Sequence, residues 1–109
     1  MTVEQFEKNT KQFLSAESAV LSSKGIEYSA GDNDRLKTFK DIASIVGLEA
    51  KDVCMIFLLK HIMSLGKYVS CNAKPTTESF EERVHDARNY LLFLAMLHRE
   101  EDTKCLKHS

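Results

Sequence analysis

Residues Ala50 to Val69 read AKDVCMIFLLKHIMSLGKYV, and this stretch decides the fold class. Between Val53 and Leu59 it is apolar nearly all round a helical projection, the pattern of a helix surrounded by other helices. It predicts a central helix. Its second half sets Lys60, His61, Ser64 and Lys67 among Ile62, Met63, Leu65 and Tyr68. Gly66 weakens that half, because glycine costs about 1 kcal/mol against alanine inside a helix. The apolar run is far shorter than the roughly 20 residues of a spanning helix, and Lys60 and His61 end it, so no transmembrane segment is expected.

Three further segments carry helical periodicity on either side. The first is expected from Val3 to Lys24, opened by a capping box of Thr2 and Gln5 and closed by Gly25 as a left-handed terminator. Its core face would be Val3, Phe6, Phe13, Leu14, Val20 and Leu21. The second, Asn33 to Val46, puts Leu36, Phe39, Ile42, Ala43 and Val46 on one face and ends at Gly47. Between them, Gly25 to Asp34 has the Gly, Ser, Asn and Asp content of a loop. The last helix is expected from Ser79 to Glu101, with Ser79 and Glu82 at capping-box spacing. It bears two apolar stripes: Phe80, Val84, Ala87, Leu91 and Leu94 on one face, and Tyr90, Phe93 and Leu97 on another. Two buried faces require two packing partners, and a second subunit can supply one of them. Residues 102–109 read as a polar, frayed tail. The whole predicts an all-α, four-helix, bundle-like single domain over residues 1–109, stabilised by self-association.

Composition narrows the function classes. With 15 basic and 16 acidic residues and a net charge of -1, the chain has no basic stripe for a duplex nucleic acid. The polar, acidic start from Met1 to Lys11 is unlike a secretion signal, which predicts a cytoplasmic protein with no membrane partner. Cys54, Cys71 and Cys105 form neither a C-x-x-C pair nor an even disulfide set, so reduced thiols are expected, Cys54 as a core residue and the others in a loop and the tail.

The candidate chemistry sits where polar residues meet apolar helices. Lys60 follows the hydrophobic run; its charge either snorkels outward or is held inward for a phosphate or carboxylate. On the last helix Glu82, Asp86, Asn89, Phe93 and Leu97 share one side at spacings of three and four. Glu82 and Asp86 there suit either a hard cation such as Mg²⁺ or a solvated first turn that complements the helix dipole. Arg83, His85 and Arg88 suit an anion or pairing with acids such as Glu81 and Asp86. Tyr28 and Arg35 bracket a turn, one offering a ring for stacking and the other a planar fork, although a tyrosine folded onto the core reads equally well. No zinc spacing, Walker loop, G-x-G-x-x-G or G-x-S-x-G occurs.

Four short motifs then come in a fixed order: Lys24-Gly25-Ile26-Glu27-Tyr28, Arg35-Leu36-Lys37-Thr38-Phe39, Leu58-Leu59-Lys60-His61, and Asp86-Ala87-Arg88-Asn89-Tyr90-Leu91-Leu92. Their order, across Ser22 to Glu100, resembles that of small uncharacterised phage and prophage helical proteins. The helical layout is also similar to MazG-like nucleotide pyrophosphohydrolases, which hold Mg²⁺ with E-x-x-E on one helix and E-x-x-D on another. Here Glu78 and Glu81 give E-x-x-E, but the third helix carries no second pair and its one acid is Asp52. A two-metal cluster needs several converging carboxylates.

The resemblance and the polar residues together imply a phage-type, homo-oligomeric protein that binds a nucleotide or nucleotide-derived signal without turnover, sequestering a host defence signal in the host cytoplasm. Its pocket would use Lys60 and Arg35 for phosphate, Tyr28 for stacking, and Asp86 and Asn89 for ribose or base edges, with His61 beside them. No cofactor is needed on this reading. Mg²⁺ enters only under the alternative of a MazG-like pyrophosphohydrolase, and a second alternative is an inhibitor of a host protein.

Overall fold

The computed structural model describes residues 1–29, 33–70 and 77–108, with side chains described over 1–22, 33–70 and 79–102. It is all-α: helices α1 (Val3–Ser29), α2 (Lys37–Val46), α3 (Ala50–Ser70) and α4 (Thr77–His108), with no strand among the described residues. Tyr28, Cys71 and Cys105 have side chains outside the described residues, as does Glu78 of the E-x-x-E pair.

Local chemistry accounts for the helix ends. At α1 the Thr2 amide donates to Gln5 Oε1 (2.9 Å) and the Gln5 amide donates to Thr2 Oγ1 (3.1 Å), the reciprocal box expected there. The helix then passes through Gly25 instead of stopping, since one interior glycine weakens a helix by only about 1 kcal/mol and nothing requires the chain to turn at that point. α2 starts at Lys37, later than Asn33. Asp34 spends its side chain on a turn, accepting from the Leu36 amide at 2.9 Å, while its carbonyl accepts from the Lys37 amide at 3.2 Å. Gly47 closes α2 at φ 75, its amide donating to the Ala43 carbonyl at 2.9 Å. α4 continues to His108, beyond the Glu101 boundary; polarity in residues 102–108 does not oppose a helix, because Lys104, Leu106 and Lys107 are good helix formers.

The core is drawn from three helices. Leu36, Phe39 and Ala43 of α2 meet Val53, Cys54 and Leu58 of α3 and Ala87, Tyr90, Phe93 and Leu97 of α4. Phe39 is fully buried, its ring centroid 5.6 to 6.2 Å from those of Phe57, Tyr90 and Phe93. Cys54 is also fully buried and its thiol donates to the Tyr90 carbonyl at 3.3 Å; burial pushes its pKa up to about 11, which keeps it an inert packing residue. Lys40 straps α2 to α4 by pairing with Asp34 (2.5 Å) and Glu100 (2.9 Å), and Lys51 pairs with Glu101 at 2.7 Å.

Two expected faces are bare. Of the apolar face expected on α1, Phe13 and Leu21 are half-buried, whereas Val3, Phe6, Leu14 and Val20 are exposed, Phe6 by 60%. α3 is not surrounded either: α2 and α4 cover one face, and Leu59, Ile62 and Met63 on the other are 51%, 47% and 67% exposed. Leu91 of α4, expected inside, is also exposed. α3 is in addition long and apolar enough overall to cross a membrane by length and composition; counting the uninterrupted run stopped at Lys60 and missed this. The molecule is elongated, 50 × 30 × 27 Å, with a radius of gyration of 16.6 Å against about 13 Å for a compact chain of this length.

Candidate functional site

Side chains at Ile56, Lys60, Met63, Ser64 and Lys67 follow one flank of α3, because spacings of three and four return to the same side of a helix. α4 runs past that flank and presents Arg83. Together they line a cleft of about 600 Å³, within the roughly 300 to 1,000 Å³ of small-molecule sites. Ile56, Leu59 and Met63 give it an apolar floor, and Lys60, Lys67 and Arg83 bring three cations to its rim.

No carboxylate pairs with Lys60, Lys67 or Arg83 among the described residues, and no carboxylate lines the cleft. Four other cations of the bundle do hold carboxylates: Lys37 pairs with Asp41, Lys40 with Asp34 and Glu100, Lys51 with Glu101, and Arg88 with Glu17. Arg83 is positioned by a ring instead, its guanidinium carbon 5.9 Å from the Tyr68 centroid, and Tyr68 is braced edge-on by Phe80 at 6.2 Å. His61, at the back of the cleft, is half-buried and stacks on Tyr90 with centroids 5.0 Å apart. Three cations around an apolar floor suit an anion.

The six residues singled out from sequence do not all meet. Lys60 and His61 share the cleft. Arg35 lies at a different hollow, of about 380 Å³ near Leu21, Phe93 and Glu100, and its guanidinium donates to the Leu21 carbonyl at 3.0 Å. Asn89 lies at a third, of about 470 Å³ between α1 and α4; it is 3% exposed and its Nδ2 has no hydrogen-bond partner among the described residues. Asp86 is half-buried, engaged within the chain, and not among the residues lining the Lys60 cleft, where Arg83, one turn earlier on α4, takes the facing position. Lys60 therefore faces cations rather than the carboxylate expected opposite it. The Tyr28 ring lies outside the described residues. Lys67 was legible as a residue seven after Lys60, two turns along the same flank, but Arg83 belongs to another helix and no spacing announces it.

Glu17, outside the apolar face expected of α1, clasps α1 to α4. Its Oε1 accepts from Arg88 Nε at 2.6 Å and lies 3.4 Å from His85 Nδ1. Phe13 stacks on the buried His85 ring at 3.9 Å, with the Arg88 guanidinium 5.6 Å from the Phe13 centroid. Burial raises the Glu17 carboxyl, but the hydrogen bonds from Arg88 and His85 and their charge outweigh it and hold the pKa below its ordinary value. Arg88 and His85 thus pair with an acid on another helix instead of with Glu81 or Asp86.

Among the described residues no group of three or more His, Cys, Asp or Glu side chains is placed to hold a metal ion. The chain matches no protein-family model, no curated protein and no solved structure.

Proposed function

We propose that the protein binds an anionic, phosphorylated small molecule, a nucleotide or nucleotide-derived signal, in the cleft between α3 and α4, and holds it without turning it over. The observation that carries this reading is the convergence of Lys60, Lys67 and Arg83 on an apolar-floored cleft with no carboxylate among its described lining residues. An ammonium pairs with phosphate oxygens as a mobile point charge, and a guanidinium does so through a planar fork. The floor of Ile56, Leu59 and Met63 suits the less polar part of the ligand, with the His61 ring at its edge. In the phage setting that the sequence motifs resemble, such a protein withdraws a defence signal from its receptor.

A panel of linear and cyclic nucleotides tests the proposal by thermal shift. At least one member should raise the melting temperature, less so as salt increases because exposed charges are screened. Lys60→Ala should cut the shift strongly while leaving the unliganded melting temperature within a degree or two. No response across the panel, or an undiminished one in that variant, contradicts the reading. A second reading, a protein that docks on another protein, draws on the exposed Val3, Phe6 and Leu14 of α1. It predicts that Phe6→Glu abolishes capture of that protein and leaves nucleotide response intact.

A further inference from the structure

The outer face of α3 is largely open among the described residues. Met55, Ile56, Leu59, Ile62, Met63 and Val69 are all exposed there, a contiguous strip along one helix rather than scattered single residues. Within the strip Met55, Leu59, Ile62, Gly66 and Val69 step by four and three in alternation, the seam on which a second helix packs. Gly66 interrupts that seam where alanine would hold the helix better. A Cβ at Gly66 would meet nothing within 4 Å, so no neighbour inside the chain requires glycine at that point. The chain exposes 8054 Å² where about 6,100 Å² is usual for a monomer of 12.4 kDa. The bare faces of α1 and α3 both contribute to that surplus, which exceeds the roughly 800 Å² that each partner gives to a stable interface.

We propose that a second copy of this chain covers the face, the two α3 helices packing antiparallel about a two-fold axis beside Leu59 and Ile62. In that register Leu59 lies against Ile62 of the second copy, and Met55 lies over Gly66 of the second copy, a large side chain against the one gap in the seam. Asp52, at the start of the strip, comes within reach of Lys67 of the second copy, at its end. A parallel pair would set Asp52 on Asp52, Lys67 on Lys67 and glycine on glycine. Self-complementarity of one patch is what a two-fold interface demands.

The seam and the anion cleft share Leu59, and Ile56 and Met63 border both. A two-fold perpendicular to the helix pair puts the clefts of both copies on the same side, with the two Lys60 side chains closest to the axis. The dimer stands on the α3 face alone; the joining of the clefts rests also on the anion-binding reading. There the doubled positive charge opposes association until an anion neutralises it, so an anion and the dimer strengthen one another.

Sedimentation equilibrium of the full chain, with and without inorganic pyrophosphate, tests both parts. A mass of twice 12.4 kDa is expected, with dimerisation tightened by pyrophosphate. Ile62→Glu and Gly66→Leu should each weaken it by about tenfold or more, and circular dichroism should show an intact helical fold. Gly66→Leu is the sharper variant, because it favours the helix and has open space within the chain. A monomer at every concentration overturns the dimer. So does a dimer indifferent to both substitutions, or a monomer that coats vesicles of phosphatidylcholine and phosphatidylglycerol through this face. A dimer lost in both variants but indifferent to pyrophosphate keeps the interface and overturns the joined clefts.

Discussion

Lys60 stands out in the sequence because it follows seven apolar residues, and the structure keeps it exposed at the rim of a cleft without a carboxylate partner among the described residues. His61 next to it was legible for the same reason. Arg83 was not, because residues from separate helices meet only after packing. Glu17 is the clearest case: 68 residues separate it from His85 and 71 from Arg88, and no periodicity relates them. Its folded carboxyl sits below the ordinary value of 4.5, so the ionised form stabilises the fold. That contribution is complete above the unfolded pKa and is lost as pH falls through the lower folded value. Glu17→Gln should therefore cost about 1 kcal/mol near neutral pH and flatten the acid limb of a stability profile measured by urea unfolding. A variant whose acid limb matches the parent's would show that the clasp adds nothing.

At the scale of elements, glycines divide the legible from the illegible. Gly47 reads as a terminator and is one, since its φ of 75 is a conformation that side-chain-bearing residues enter only with strain. Gly47→Ala should cost about 1 kcal/mol in thermal unfolding, and a neutral outcome would mean that the α2 end re-forms with another geometry. Gly25 reads the same way in sequence and lies inside α1, because a residue's tolerance for a turn does not impose one. The apolar circumference of Val53 to Leu59 gave the helix correctly but not its surroundings. Periodicity reports which side chains avoid water, and a second molecule shields them as well as the chain's own helices do. The same ambiguity applies to α1, whose apolar residues remain outside.

For the whole molecule, the all-α, bundle-like architecture followed from patterning, while the location of a pocket did not. Three hollows separate Lys60, Arg35 and Asn89, and the one that gathers Lys60, Lys67 and Arg83 lies between α3 and α4. The elongated shape, 50 Å in its longest dimension, leaves that cleft beside a bare apolar face. Amide chemical-shift mapping of the full chain during titration with the nucleotide that gives the largest thermal shift addresses the cleft most directly. Perturbations concentrated on Lys60, Ser64, Lys67 and Arg83 are predicted. Perturbations centred instead on Arg35 or Asn89, or none at saturating nucleotide, would contradict the account.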